Sequence, residues 1–167
     1  AIVQSFYEAA YCAGMAIVGG ESPALRYLVK AELPVGGAPV FSGCATGIHL
    51  PQHRPVKGSI HVGAEIIGVH SSGLHANGIS LVIKRALGLP EQFLTKLPSG
   101  NTLGEEALIP TACYVPLVQQ LVGAGIEIQA LVPATGDGVT KLLRYHRPHT
   151  YRITSWPDVP PIFQFMR

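Results

Sequence analysis

Apolar residues recur at helical spacing in several stretches of the chain. The clearest is residues 79–87, where apolar side chains fall at i, i+3, i+4, i+7 and i+8 and polar ones occupy the opposite face. Gly88 and Pro90 follow directly, which is typical of a helix end. Weaker patterns predict three more elements: a helix over residues 2–10 that stops at Gly14, a helix with Pro116 in its first turn that closes at Gly123 and Gly125, and a helical turn over 139–144.

Short apolar runs between glycines, prolines and polar residues predict strands. Residues 64–69 form one such run, and residues 126–132 alternate as a half-buried strand does. The other predicted strands are 15–18, 40–48 and 150–153. Residues 155–167 are interrupted by prolines and are predicted to pack loosely. Because strands and helices alternate, the sequence predicts an α/β or α+β layered fold with helices packed on a mixed β-sheet.

Composition excludes several classes of protein. Of 167 residues, 47% are hydrophobic and 13% are charged, which excludes a disordered chain. The net charge is only +2 and no basic block occurs, so no nucleic-acid partner is expected. No apolar run approaches the roughly 20 residues of a membrane span, so no membrane association is expected. His49, His53 and His61 lack the helical spacing of a zinc pair, and no metal site is predicted within the chain.

The loop between the predicted strand 64–69 and the helix at residue 79 is the main candidate site. Residues 68–78 read G-V-H-S-S-G-L-H-A-N-G, so small residues lead directly into a helix. Unpaired backbone N–H groups and the helix dipole at such a junction attract phosphate or another anion. His75 can donate a hydrogen bond or transfer a proton there. A plain junction, capped by Asn77 or Ser72, explains the same pattern equally well.

Two other turns follow predicted strands and carry candidate residues. Glu21 comes directly after an apolar run and two glycines, which suits a ligand contact at the edge of a sheet. A solvated or helix-capping glutamate fits the same pattern and is the more common case. Thr135, Gly136 and Asp137 open a turn that exposes backbone amides. An ordinary β-turn is the more common case there.

Four motifs occur together in a fixed order. They are A-I-V-G-G-E-S at 16–22, G-V-H-S-S-G-L-H-A-N-G-I-S-L-V at 68–82, L-I-P-T-A-C-Y-V at 108–115 and A-T-G-D-G at 134–138. They resemble L-V-G-G-E-T, G-x-x-S-S-G-x-H-S-N-G-[YF]-S-L-V, L-L-x-P-T-R-I-Y-V and I-T-G-G-G of the phosphoribosylformylglycinamidine cyclo-ligase family, also called aminoimidazole ribonucleotide synthetase. The chain departs from the family at Ala76, Ala112 and Asp137, and after Glu21, where the family's second glutamate and its Met-Pro are replaced.

The resemblance implies a domain organisation and an activity. Residues 1–40 would be the end of an amino-terminal domain with its connecting loop, and residues 41–167 a partial carboxy-terminal α/β domain. The implied reaction is the ATP-driven ring closure of formylglycinamidine ribonucleotide to aminoimidazole ribonucleotide in purine biosynthesis. The implied enzyme is a cytoplasmic homodimer that uses ATP and Mg²⁺. We expect these residues alone to be inactive, because most of the family's ATP and metal site would lie outside them.

The resemblance also suggests roles for the candidate residues. His75 would be a catalytic group beside the substrate's phosphate, and Glu21 would contact the substrate. Thr135, Gly136 and Asp137 would line the same cleft. The predicted phosphate contacts are Ser71, Ser72, Gly73, Asn77 and Gly78.

Two alternatives remain open. The chain could be a catalytically silent relative that acts as a ligand-binding or dimerisation module, and the altered stretch after Glu21 favours that interpretation. It could also belong to a related ATP-using family such as selenophosphate synthetase or formylglycinamidine synthase. The loops of those families lack S-S-G-x-H-x-N-G, so this alternative ranks lower.

Overall fold

The computed structural model describes residues 2–25, 27–28, 40–48, 56, 58–145 and 149–167. The chain divides into an amino-terminal unit, Ala1–Pro55, and a carboxy-terminal unit, Val56–Arg167. The domain boundary predicted between residues 40 and 41 stays a prediction.

The amino-terminal unit contains one helix, α1 (Ile2–Cys12), among its described residues. It ends where the spacing predicts, because Gly14 adopts a left-handed φ of 68°. The Met15 N–H then donates to the Ala10 carbonyl at 2.8 Å. None of the side chains of α1 is buried, although the Phe6 ring packs against Phe41 at 6.0 Å between centroids.

Helices and irregular segments build the described part of the carboxy-terminal unit. Its α-helices are α2 (Ile79–Leu87), α3 (Leu103–Ala107), α4 (Val115–Gly123) and α5 (Pro161–Met166). Two short 3₁₀ helices cover Gln92–Leu94 and Gly138–Arg144. The bounds of α2 and the end of α4 at Gly123 agree with the sequence predictions. None of the helices in the described residues is long and apolar enough to cross a bilayer.

A small apolar core joins α2, α3 and α5. Its buried members are Leu74, Val82, Ala86, Leu97, Leu103 and Ile162. Ile162 is fully buried, so the prediction of loose packing is wrong for residues 161–166, whereas residues 155–159 before them are exposed. Pro160 and Pro161 begin α5 rather than preventing it, because the first turn of a helix needs no N–H donors.

One carboxylate is buried beside this core. Glu106 of α3 is 3% exposed and accepts hydrogen bonds from Ser99 Oγ at 3.2 Å and Asn101 Nδ2 at 2.9 Å. These bonds offset the cost of removing the carboxylate from water. They also tie the turn before α3 to the helix itself.

The predicted mixed β-sheet, and with it the α/β or α+β layered fold, is wrong. Among the described residues, the only strand-like pairing is an isolated antiparallel bridge between Lys96 and Thr102. The five predicted strands, 15–18, 40–48, 64–69, 126–132 and 150–153, all lie in described parts of the chain and form no ladder. Apolar periodicity reports which side chains favour burial, whereas a strand also needs a second strand to supply backbone partners. Those partners are missing here, and Ile67 in the third run is 77% exposed.

Candidate functional site

The loop before α2 is anchored in the core by its central residue. Leu74 is 7% exposed and packs in the same cluster as Val82 of α2. On either side of it, Gly73 and His75 adopt positive φ angles of 147° and 55°. A non-glycine residue rarely adopts a positive φ, so the packing of Leu74 holds His75 in a strained conformation.

His75 is fixed through one nitrogen of its ring. The Ser72 N–H donates to Nε2 at 3.3 Å, and Ser71 Oγ lies 3.2 Å from the same atom. Because Nε2 accepts a backbone N–H, the proton of the neutral imidazole lies on Nδ1. The ring also packs against Tyr114, with 6.1 Å between centroids. The loop therefore holds His75 as a hydrogen-bond donor through Nδ1.

The hydroxyl groups of the loop serine residues bond to the protein itself. Ser71 Oγ donates to the Gly73 carbonyl at 2.6 Å and accepts from the Gly73 N–H at 3.1 Å. Ser72 Oγ donates to the Pro110 carbonyl at 2.8 Å and accepts from the Ala112 N–H at 3.1 Å. Each hydroxyl proton is thereby committed to a carbonyl oxygen. The predicted phosphate contacts of these two side chains stay predictions.

A third hydrogen bond joins the loop to the segment that begins at Pro110. The Tyr114 hydroxyl donates to the His70 carbonyl at 2.8 Å. Together with the bonds of Ser72, it fastens the loop to residues 110–114 at both ends of a short span. We call this set of bonds, made by Ser72 and Tyr114, the loop clamp.

A shallow recess opens beside His75. It has a volume of about 380 Å³, and the residues that line it are His75, Ala76, Asn77, Thr111 and Thr135. This volume lies within the range of small-molecule sites, which is about 300–1,000 Å³. The recess brings together three predicted site residues, His75, Asn77 and Thr135. Thr111 was not predicted as a site residue, although it lies in the P-T pair of the third motif.

The turn after Thr135 is built from consecutive positive φ angles. Gly136, Asp137 and Gly138 have φ of 44°, 50° and 55°. A Cβ atom on Gly136 would lie 4.0 Å from Asn77 Nδ2, so this turn approaches the loop before α2. Asp137 pairs with Arg144 at 2.9 Å, and both side chains are about two-thirds exposed.

The remaining predicted residues lie outside the recess lining. Gly73 is buried within the loop, and Gly78 starts α2 with a φ of 83°. Glu21 is exposed in the amino-terminal unit, and its role stays a prediction. His49 and His53 lie outside the described residues. Within the described ranges, no group of three or more histidine, cysteine, aspartate or glutamate side chains is arranged to hold a metal ion.

These features define a shallow recess before the start of a helix, with four polar residues in its lining, a class of site that suits a small molecule carrying a polar or phosphate group. The phosphoribosylformylglycinamidine cyclo-ligase of Methanocaldococcus jannaschii is 33% identical to this chain over 159 residues, which are 94% of this chain and 43% of that protein. The protein of the same name from Rippkaea orientalis is 33% identical over 172 residues, covering 99% and 48%. A third, from Methanothermobacter thermautotrophicus, is 31% identical over 158 residues, covering 91% and 44%.

Over nearly all of its length the chain is similar to proteins named phosphoribosylformylglycinamidine cyclo-ligase, which confirms the resemblance read from its motifs. It spans a little under half the length of the curated relatives that it matches. No protein-family model and no solved structure matches it.

Proposed function

We propose that the protein containing this chain is an ATP-dependent cyclo-ligase that converts formylglycinamidine ribonucleotide to aminoimidazole ribonucleotide. One observation carries the proposal: His75 and Asn77 of the motif at 68–82 and Thr135 of the motif at 134–138 line one recess. The names of the relatives support the reaction class. The proposal includes a cytoplasmic location and a homodimeric state.

The reaction sets clear physical requirements. ATP supplies a phosphoryl group to the formyl oxygen of the substrate, which makes that oxygen a good leaving group. A nitrogen of the same molecule then attacks the carbon, the C–O bond breaks, phosphate departs and a proton is released. The protein must hold the two reacting groups together and bind the phosphate of the ribonucleotide.

The recess meets the second requirement with hydrogen-bond donors. His75 offers Nδ1–H, Asn77 an amide, and Thr111 and Thr135 their hydroxyls. In this proposal the four groups bind the ribonucleotide phosphate together with backbone amides of the loop. Ser71 and Ser72 act by holding the loop in shape.

The family resemblance also implies ATP and Mg²⁺. The described residues include no cluster of carboxylates suited to Mg²⁺. No described residue of this chain is therefore proposed as a ligand of the metal.

The test is a turnover assay on the protein expressed from its complete reading frame. With ATP and formylglycinamidine ribonucleotide, we expect ADP and aminoimidazole ribonucleotide to appear in equal amounts. His75→Ala should lower kcat/KM about tenfold to a hundredfold, as for the loss of one hydrogen bond to a charged group. The matched control is His61→Ala, an exposed histidine that does not line the recess. Failure to form the imidazole product, or equal rates in the two variants, would contradict the proposal.

A second candidate is a catalytically silent ligand-binding or dimerisation module. The sequence S-P-A-L-R-Y after Glu21, in place of the family's second glutamate and Met-Pro, favours it. Binding of the ribonucleotide without any ATP-dependent turnover would support this candidate over the first.

A further inference from the structure

We infer that Lys141 is the cation of the His75 recess and binds the phosphate group of its ligand. The inference deepens the proposed function, since it rests on the recess being the substrate site. It adds a residue outside all four motifs. The ligand class is a phosphomonoester such as a sugar phosphate.

The recess lining lacks a permanent positive charge. Of its described lining residues, only His75 can become charged, and its Nε2 already accepts the Ser72 N–H. A phosphate that leaves water for such a recess loses hydration, and neutral donors replace only part of it. A phosphate site here therefore needs a cation at its edge.

Lys141 is joined directly to the lining. Its Nζ donates to Thr135 Oγ1 at 2.6 Å, a short distance of the kind found in charge-assisted bonds. The Lys141 side chain is half-buried in the 3₁₀ helix Gly138–Arg144. Its charge is thereby held one hydrogen bond away from the recess.

The direction of this bond leaves the Thr135 hydroxyl free to donate a hydrogen bond to a ligand. An ammonium group only donates, so Thr135 Oγ1 is the acceptor and its own hydroxyl proton remains to be donated. Lys141 has two further N–H donors of its own. The pair can therefore present both a hydroxyl donor and a full positive charge to one phosphate.

The neighbouring charges leave that of Lys141 uncancelled. Asp137 is the acidic residue of the same turn, and its carboxylate pairs with Arg144 at 2.9 Å. Arg144 thereby neutralises Asp137. The three positive φ angles at Gly136, Asp137 and Gly138 reverse the chain, which brings the Lys141 ammonium back to Thr135 across six residues.

The test uses ribose 5-phosphate, inorganic phosphate and unphosphorylated ribose as probes, with binding measured by calorimetry on the protein from its complete reading frame. We expect Lys141→Met to weaken ribose 5-phosphate about tenfold or more, as for a lost charged hydrogen bond, and to weaken phosphate similarly. The affinity of ribose should not change. Lys141→Gln keeps a donor for Thr135 without the charge and should weaken binding almost as much, whereas Lys141→Arg should retain most of the affinity.

The matched control is Lys84→Met, at an exposed position of α2 outside the recess lining, which should change the affinity for ribose 5-phosphate by less than Lys141→Met does. Circular dichroism checks that each variant folds. Equal affinities of the parent and Lys141→Met, full affinity in Lys141→Gln, or no binding of either phosphate by the parent would overturn the inference. Lys141-dependent binding without ring closure would support it while contradicting the proposed function. Normal ring closure with an unchanged KM in Lys141→Met would contradict the inference alone.

Discussion

Residues 79–87 and residues 64–69 are similarly apolar, yet only the first stretch buries side chains in the core. Helix α2 buries Val82 and Ala86 in the core. The run before it leaves Ile67 77% exposed and Val69 54% exposed. A helix completes most of its backbone hydrogen bonds within its own residues, whereas a strand depends on residues far away in the chain. Local patterns therefore predict helices of this protein better than its other segments.

The loop before α2 has neither the local backbone bonds of a helix nor the paired backbone of a strand, yet it is held firmly. It is anchored to the core through Leu74 and to residues 110–114 through the loop clamp. Side chains, rather than a backbone ladder, fix it in place. The candidate site thus depends on a few specific hydrogen bonds, and single substitutions should separate its stability from that of the core.

The largest effect is expected on the free energy of unfolding, when a core residue is compared with a residue of the exposed runs. Leu103 is fully buried, and Leu103→Ala should lower the free energy of unfolding by about 2–5 kcal/mol, through lost burial and a residual cavity. The matched control, Ile67→Ala, should change it by less than about 0.5 kcal/mol. Urea titration measures both. Similar losses in the two variants would show that residues 64–69 are packed as firmly as the core, contrary to the comparison.

The contrast also explains what the sequence could predict. Helix α2 was predicted residue for residue, since its periodicity and its flanking glycines agree. Helix α3 has only 5 residues, too few for periodicity, and its one signal is the capping box of Thr102 and Glu105. Helix α5 was missed because its prolines were interpreted as breakers. The strands were wrong because no pattern within a run reveals whether a partner strand exists.

For the site, sequence motifs predicted three lining residues and missed two groups. His75, Asn77 and Thr135 carry recognisable chemistry in recognisable loops. Thr111 enters the recess only because the loop clamp holds its segment beside His75, and a lone threonine gives no such signal. Lys141 reaches Thr135 through the turn at residues 136–138, and it lies outside the four motifs that the sequence analysis used.

A smaller effect is expected from Ser72→Ala, which tests whether the loop clamp supports the recess. Ser72→Ala leaves the Pro110 carbonyl and the Ala112 N–H without their partner, and should lower the free energy of unfolding by about 1–2 kcal/mol. It should also weaken ribose 5-phosphate, because Thr111 is no longer held. Denaturation and calorimetry measure the two effects. The control is Ser80→Ala, at an exposed position of α2, which should change neither. Unchanged phosphate affinity in Ser72→Ala would mean that the clamp is dispensable for the recess.

The smallest effect concerns the cap of α3, the helix whose packing closes the core. The Thr102 N–H, and secondly its hydroxyl, donate to the Glu105 carboxylate and hold the pKa of Glu105 below its usual value. A carboxylate with a lowered pKa stabilises the folded state at pH values above its unfolded pKa, and this contribution disappears as pH falls through the folded pKa. Glu105→Gln should therefore be less stable than the parent at neutral pH, and the gap should close below the ordinary glutamate pKa of 4.5.

Urea titrations of both proteins across that range measure the gap. Glu127→Gln, at an exposed position outside any helix, controls for the loss of one negative charge. A gap that stays constant down to strongly acidic pH would show that the Thr102 bonds do not discriminate between the charged and neutral carboxyl. In that case the start of α3 would owe its position mainly to the burial of Leu103 and to backbone hydrogen bonds such as that from the Leu103 N–H to the Thr95 carbonyl.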